Sequence, residues 1–142
     1  MFMGEYNHTI DTKGRIIMPS KFRDELGDNF VVTQGLDGCL FVYPNEEWMN
    51  FVNQLKNLPG TKDARQLQRY FMAGAADCEV DKQGRVLIPA KLRETAALEK
   101  DIVFVGVLSK IEIWSKERWD SNNNYENMDQ VAEHMADFGL SF

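Results

Sequence analysis

Apolar positions recur along this chain with two periods, and the alternation between them outlines the elements. Short strands are predicted at Arg15 to Met18 and Arg85 to Ile88, each preceded by a turn and, before the turn, another short strand. Pro19 and Pro89 follow. Proline fixes φ for a first helical turn without losing a needed N–H, so helices are predicted from there to about Leu26 and about Leu98. Phe22 and Leu26 share one helical face, and Gly27 is a natural stop. Two further strand pairs are predicted, near 30–33 with 39–43 and near 102–107 with 110–114, the first joined through Gly35-Leu36-Asp37-Gly38. Trp48, Phe51, Val52 and Leu55 form a stripe at i, i+3, i+4 and i+7, broken by Asn57-Leu58-Pro59-Gly60. A second helix is predicted from about Lys62 to Met72. Asn122-Asn123-Asn124 reads as a loop, and Met128, Val131, Ala132, Met135 and Phe138 then line one helical side. Such stripes usually pack into a core. For the terminal one a contact between subunits stays open.

The pattern repeats. DTKGRIIMPSKFR at 11–23 aligns without a gap to DKQGRVLIPAKLR at 81–93, with 6 of 13 positions identical. Ile16, Ile17, Met18 and Phe22 are matched by Val86, Leu87, Ile88 and Leu92, so the apolar positions persist where identity does not. Leu40-Phe41-Val42-Tyr43 corresponds to Ile111-Glu112-Ile113-Trp114, and Trp48 to Trp119, after a one-residue shift. The fold class is therefore α+β with tandem pseudo-symmetric repeats. The divisions are 1–50 and 75–120 for the two repeats, 51–74 for connecting helices and 121–142 for a C-terminal helix.

Composition narrows the function. With 44% hydrophobic and 11% aromatic residues, a packed core is expected. No apolar run approaches the ~20 residues of a membrane span, and no secretory pattern opens the chain, so a cytoplasmic location is expected. The net charge of −6 and pI of 4.9 count against a general nucleic-acid binder. Its distribution reverses the argument. Lys13, Arg15, Lys21 and Arg23 against Asp11, and Lys82, Arg85, Lys91 and Arg93 against Asp81, give +3 in each copy and leave −12 for the rest. A local basic patch can guide a polyanion even on an acidic body.

Catalytic chemistry finds no footing. There is no P-loop and no G-x-S-x-G, and neither His8 nor His134 stands near a Ser or Cys as a base. Cys39 and Cys78 lie outside any C-x-x-C spacing and read as reduced structural thiols. No metal, cofactor or small-molecule substrate is expected. In the repeated D-x-x-G-R turn, Asp11 and Asp81 suit the first position of a type I turn. Gly14 and Gly84 suit a fourth position of positive φ. The turn has two readings. It presents Lys13 and Arg15, with Lys82 and Arg85, to DNA phosphates or bases. Alternatively, an Asp–Arg bridge merely staples a hairpin. Lys21, Arg23, Lys91 and Arg93 are likewise either DNA contacts or solvated helix faces.

Asp11 to Arg15 and Asp81 to Arg85, each followed by an apolar triplet, Pro and Lys-x-Arg, resemble the paired signature of the MraZ family, in the AbrB/SpoVT group of regulators. The resemblance runs from about Met3 to Trp119. It implies a swapped-hairpin β-barrel with interlocked halves and flanking helices, assembly into closed homo-oligomeric rings, and no cofactor. It also implies a nucleoid-associated repressor of its own operon and of the division and cell-wall gene cluster, bound to repeated promoter boxes on double-stranded DNA. The family's DNA contacts carry over to Lys13, Arg15 and Arg85. Gln83 stands where Lys13 does, and Lys82 replaces Thr12, so the first loop is expected to bind more strongly. Two rival readings are an interaction module that docks an acidic partner protein through the same loops and a hydrolase with an unrecognised site.

Overall fold

A computed structural model describes residues 1–142. Eight strands and six helices follow in the order β1 (Phe2–Thr9), β2 (Arg15–Ile17), α1 (Ser20–Leu26), β3 (Asn29–Gln34), β4 (Leu40–Pro44), α2 (Asn45–Lys56), α3 (Lys62–Ala73), β5 (Ala76–Glu79), β6 (Arg85–Leu87), α4 (Ala90–Thr95), β7 (Asp101–Leu108), β8 (Lys110–Ser115), α5 (Lys116–Asn122) and α6 (Met128–Met135). A single 3₁₀ turn, Ala136–Phe138, follows α6. The fold is mixed α+β. No helix is long and apolar enough to cross a membrane.

Four of the six strand pairings join opposite repeats; only β3 with β4 and β7 with β8 pair within one. Six strands form one antiparallel sheet in the order β1-β7-β8-β4-β3-β5, and β2 pairs with β6 in a separate two-stranded ribbon. The sequence pattern suggested that each D-x-x-G-R turn joins two strands of one hairpin. The turns do close locally, but the strands leaving them diverge: β1 goes to β7, β5 to β3, and β2 and β6 to each other. The ladder is not continuous around a barrel. The ribbon instead lies across the open side of the sheet, touching edge strands β1 and β5.

An approximate two-fold axis organises this pairing. In the ribbon Ile16 faces Val86, its counterpart in the repeat. At the sheet centre Phe41 of β4 faces Glu112 of β8, again counterparts. Strand alternation then builds two cores. Phe30, Val32, Leu40, Val42, Ile102, Phe104, Ile111 and Ile113 point inward, toward Ile16, Val86, Phe22 and Leu92 of the ribbon, α1 and α4. On the opposite face Phe41, Tyr43, Val103 and Trp114 meet Leu55 of α2, Phe71 of α3 and Trp119 of α5. The side chains of β4 are buried on both faces, which is why its sequence is continuously apolar. Each fully buried large side chain contributes about 1.5–3 kcal/mol.

Helix ends follow local chemistry. Thr61 caps α3 by accepting from the Ala64 amide at 3.2 Å, and Ser115 caps α5 by accepting from Arg118 at 3.2 Å. Pro19 and Pro89 are the cap residues of α1 and α4 rather than their first helical residues. The first helix stops as predicted, with Gly27 at φ 80°. The second ends at Thr95, three residues before the predicted Leu98. There Ala97, the counterpart of Gly27, holds φ 54°, and the Leu98 amide donates back to Arg93 O at 2.9 Å. The stop exists in both copies, but only the first spells it with glycine. An L-residue pays for that conformation. Ala97→Gly is therefore expected to raise stability by about 1 kcal/mol, or roughly 2–4 °C in Tm for a chain of this size. Thermal unfolding of the two proteins checks this.

Candidate nucleic-acid interface

Each D-x-x-G-R segment forms a turn that its aspartate holds at three points. In the first, the Gly14 amide donates to Asp11 O at 3.0 Å and the Asp11 amide to Arg15 O at 2.9 Å. Gly14 has φ 84°, the bulge conformation its position demanded. Asp11 Oδ1 accepts from the Lys13 and Arg15 amides at 2.9 and 2.8 Å, and Oδ2 accepts from Arg15 Nε at 2.7 Å. The second turn repeats the set. Asp81 Oδ1 accepts from Gln83 and Arg85 at 2.8 Å each, Oδ2 accepts from Arg85 Nε at 2.9 Å, and Gly84 has φ 80°.

The Asp–Arg staple is thus present in both copies, and it leaves each arginine available. Only Nε is engaged; the two terminal amino groups of Arg15 and of Arg85 make no hydrogen bond within the chain. Arg15 and Arg85 are half-buried, with the guanidinium aimed and its fork free. Lys13 and Lys82 are exposed at the loop tips. The staple and the binding reading are therefore compatible, because they use different atoms.

The helix cations divide. Lys21, Lys91 and Arg23 are exposed, while Arg93 is half-buried. Arg23 and Arg93 lie against the loop of the other repeat. A methyl group on Gly14 would sit 1.9 Å from Arg93 Nη1, and one on Gly84 would sit 3.0 Å from Arg23 Nη1. Arg93 Nε is buried without a hydrogen-bond partner. Each loop is consequently composite, its turn from one repeat and an overlying guanidinium from the other. Nothing in the residue order signals this crossing, since α1 and α4 each follow their own turn closely. The ribbon joins the two loops, and because its strands are antiparallel the loops sit at its opposite ends.

Outside this region the titratable groups suggest structure. Cys39 and Cys78 are buried free thiols, and burial pushes Cys78 up to about 11 and Cys39 higher still. No group of three or more His, Cys, Asp or Glu side chains is placed to hold a metal ion.

A family model described as "MraZ protein, putative antitoxin-like" matches the chain twice, over residues 1–70 and 71–139. The chain belongs to the MraZ family. A protein named transcriptional regulator MraZ from Lachnoclostridium phytofermentans is 80% identical over 142 residues, the whole of both chains. Proteins of that name from Thermoanaerobacter sp. and Heliobacterium modesticaldum are 58% and 57% identical, over 99% of this chain and all of theirs. The two model matches place one D-x-x-G-R loop in each half, so the loops are corresponding features of a duplicated MraZ unit.

The donors to Asp11, first the Arg15 amide and then the Arg15 side chain and the Lys13 amide, outweigh desolvation and hold its carboxyl below the ordinary 3.8. Asp81 is lowered likewise, first by the Arg85 amide. A depressed carboxylate stabilises the fold fully above the ordinary value and loses that contribution as pH falls through the lowered one. The loops are expected to keep their shape down to pH 3.8 and to open only below it. Amide chemical shifts of Lys13, Arg15, Gln83 and Arg85 followed during acid titration check this, with Asp11→Ala abolishing the transition in the first loop alone.

Proposed function

We propose that this chain is a DNA-binding transcriptional regulator whose two loops grip duplex DNA side by side. Membership in a family of proteins named transcriptional regulators supports the regulatory half and sets the chain apart from enzymes. The observation that carries the DNA half is the pair of aspartate-stapled guanidiniums whose terminal amino groups are free. Such a fork can bond guanine O6 and N7 together, or a phosphate. Arg15, Lys13 and Arg85 are the principal contacts, and Lys82, Lys21, Arg23, Lys91 and Arg93 supply the surrounding field. Asp11, Gly14, Asp81 and Gly84 shape the loops.

The finer reading is a repressor of its own operon and of the division and cell-wall gene cluster, nucleoid-associated in the cytoplasm and bound to repeated promoter boxes. In it, residues 1–50 and 75–120 act as interlocked swapped-hairpin repeats, with 51–74 connecting them and 121–142 as a C-terminal helix. The exchange of strand partners supports the interlocking. One acidic subunit carries few cations, so avidity from a ring of copies on repeated boxes supplies the affinity. Self-association is supported by α6. Its Met128, Val131 and Met135, and Phe138 beyond it, are all exposed, and no residue of α6 is buried. A second copy is the occupant that charge favours: α6 bears Asp129 and Glu133, with Asp137 in the turn beyond it, and α3 bears exposed Lys62, Arg65 and Arg69 against one exposed acid, Asp63, which lies beside Leu67 and Tyr70.

Arg15→Ala is expected to weaken binding to the DNA upstream of the chain's own coding sequence by about 1–3 kcal/mol, while particle mass is unchanged. Wild-type affinity is expected to fall linearly on a log–log salt plot. Gel shifts at several salt concentrations check both, and unchanged binding by the variant removes the loop from the mechanism. Met135→Asp is expected to shift the particle to a smaller mass in light scattering without unfolding it, since the residue is exposed within the chain.

A further inference from the structure

The outer face of the β2–β6 ribbon carries four side chains. Alternation puts Arg15 and Ile17 on the side opposite buried Ile16, and Arg85 and Leu87 opposite buried Val86. The register sets Arg15 beside Leu87 and Ile17 beside Arg85. Ile17 is 53% exposed and Leu87 58%. A solvated strand face ordinarily bears polar residues. Both repeats depart from that at the same position, next to the same arginine. The chain leaves more than half of each residue uncovered, although their immediate neighbours Ile16, Met18, Val86 and Ile88 are buried.

The surroundings point to a type of partner. Arg15 and Arg85 flank the two aliphatic groups, and Lys13 and Lys82 stand exposed on the adjoining loops. A small apolar surface ringed by cations suits a polyanion that offers apolar groups between hydrogen-bond acceptors. The major groove is such a surface, because thymine presents its C5 methyl there and guanine its O6 and N7. Resting on the DNA reading above, we infer that Ile17 and Leu87 seat thymine methyl groups next to the acceptors taken by Arg85 and Arg15, and so select thymine within the box. The two aliphatic groups lie diagonally across the ribbon, roughly 7–8 Å apart by sheet geometry. That spans about two base steps, which places the two thymines about two base pairs apart.

Deoxyuridine lacks the C5 methyl and keeps O4, so it removes the apolar group alone. The probe is the duplex upstream of the chain's own coding sequence, made once with thymidine and once with deoxyuridine throughout, bound to the full-length protein at fixed salt. Wild type is expected to bind the uracil duplex about four-fold more weakly for each methyl seated, the scale of one buried methylene. The Ile17→Ser, Leu87→Ser double variant is expected to bind thymine DNA as weakly as wild type binds uracil DNA, and to discriminate no longer. Equal binding of both duplexes by wild type overturns this inference and leaves the DNA reading standing; that comparison needs no variant to fold. Binding of neither duplex overturns both. A double variant that still discriminates, or whose particle mass changes because the face is a protein contact, overturns the inference as well.

Discussion

Arg15, Ile16 and Ile17 pair with Leu87, Val86 and Arg85, and the outward placement of Arg15, Ile17, Arg85 and Leu87 follows from that six-residue register. Ile16 and Val86 meet at its centre, both buried. A slip of one residue would turn Ile16 and Val86 to solvent and drive the two arginines into the core, at the cost of uncompensated buried charge. The hydrophobic demand of the core thus fixes which side chains face out. The antiparallel geometry then fixes that the two loops stand at opposite ends of one short ribbon. Because the ribbon is made of one strand from each repeat, neither repeat can build it alone.

Electrostatics works at two scales on this frame. Over the whole chain the charge is −6, and the acidic remainder repels a polyanion from most of the surface. Within each loop a carboxylate neutralises part of the local charge, which at first sight weakens a binding site. Its effect on geometry is larger. Asp11 and Asp81 spend one oxygen on two backbone amides and the other on Nε, and so hold the arginine's terminal amino groups in a single direction before any ligand arrives. An exposed ion pair contributes little stability. What it contributes here is preorganisation, since a guanidinium already aimed loses less rotamer freedom on binding.

Much of this was readable from the residues, and the failures share a cause. The β3 and β4 strands, the stripe from Trp48 to Leu55 and the turn glycines all express local periods or local φ demands, and each sits close to where the pattern put it. Strand partnership is not local. A tight turn between two strands argues for a hairpin, and only the long-range pairing of β1 with β7 and β5 with β3 overrides it. The same exchange moves Arg93 over Gly14 and Arg23 over Gly84, a juxtaposition with no sequence signal. The terminal stripe was equally ambiguous, because an amphipathic helix looks the same whether its apolar side meets its own core or a second copy. The α5 helix is too short, at seven residues, to show an apolar period of its own, although Ser115 is a readable cap.

The duplication has preserved the frame more faithfully than the charge on it. Both aspartates, both glycines and both arginines make matching bonds, within 0.2 Å of each other for the Asp–Nε pair at 2.7 and 2.9 Å. The residues between them have drifted. The first loop offers Lys13 where the second offers Gln83, and the second places Lys82 one position earlier, where the first has Thr12. A turn of this type holds adjacent positions in different directions, so a cation moved by one residue points elsewhere without disturbing the staple beneath it. The overlying arginines differ too: Arg93 presses closely on Gly14, whereas Arg23 is exposed and stands farther from Gly84. In the proposed DNA complex, a two-fold frame with unequal loops would meet the two halves of a site in different ways.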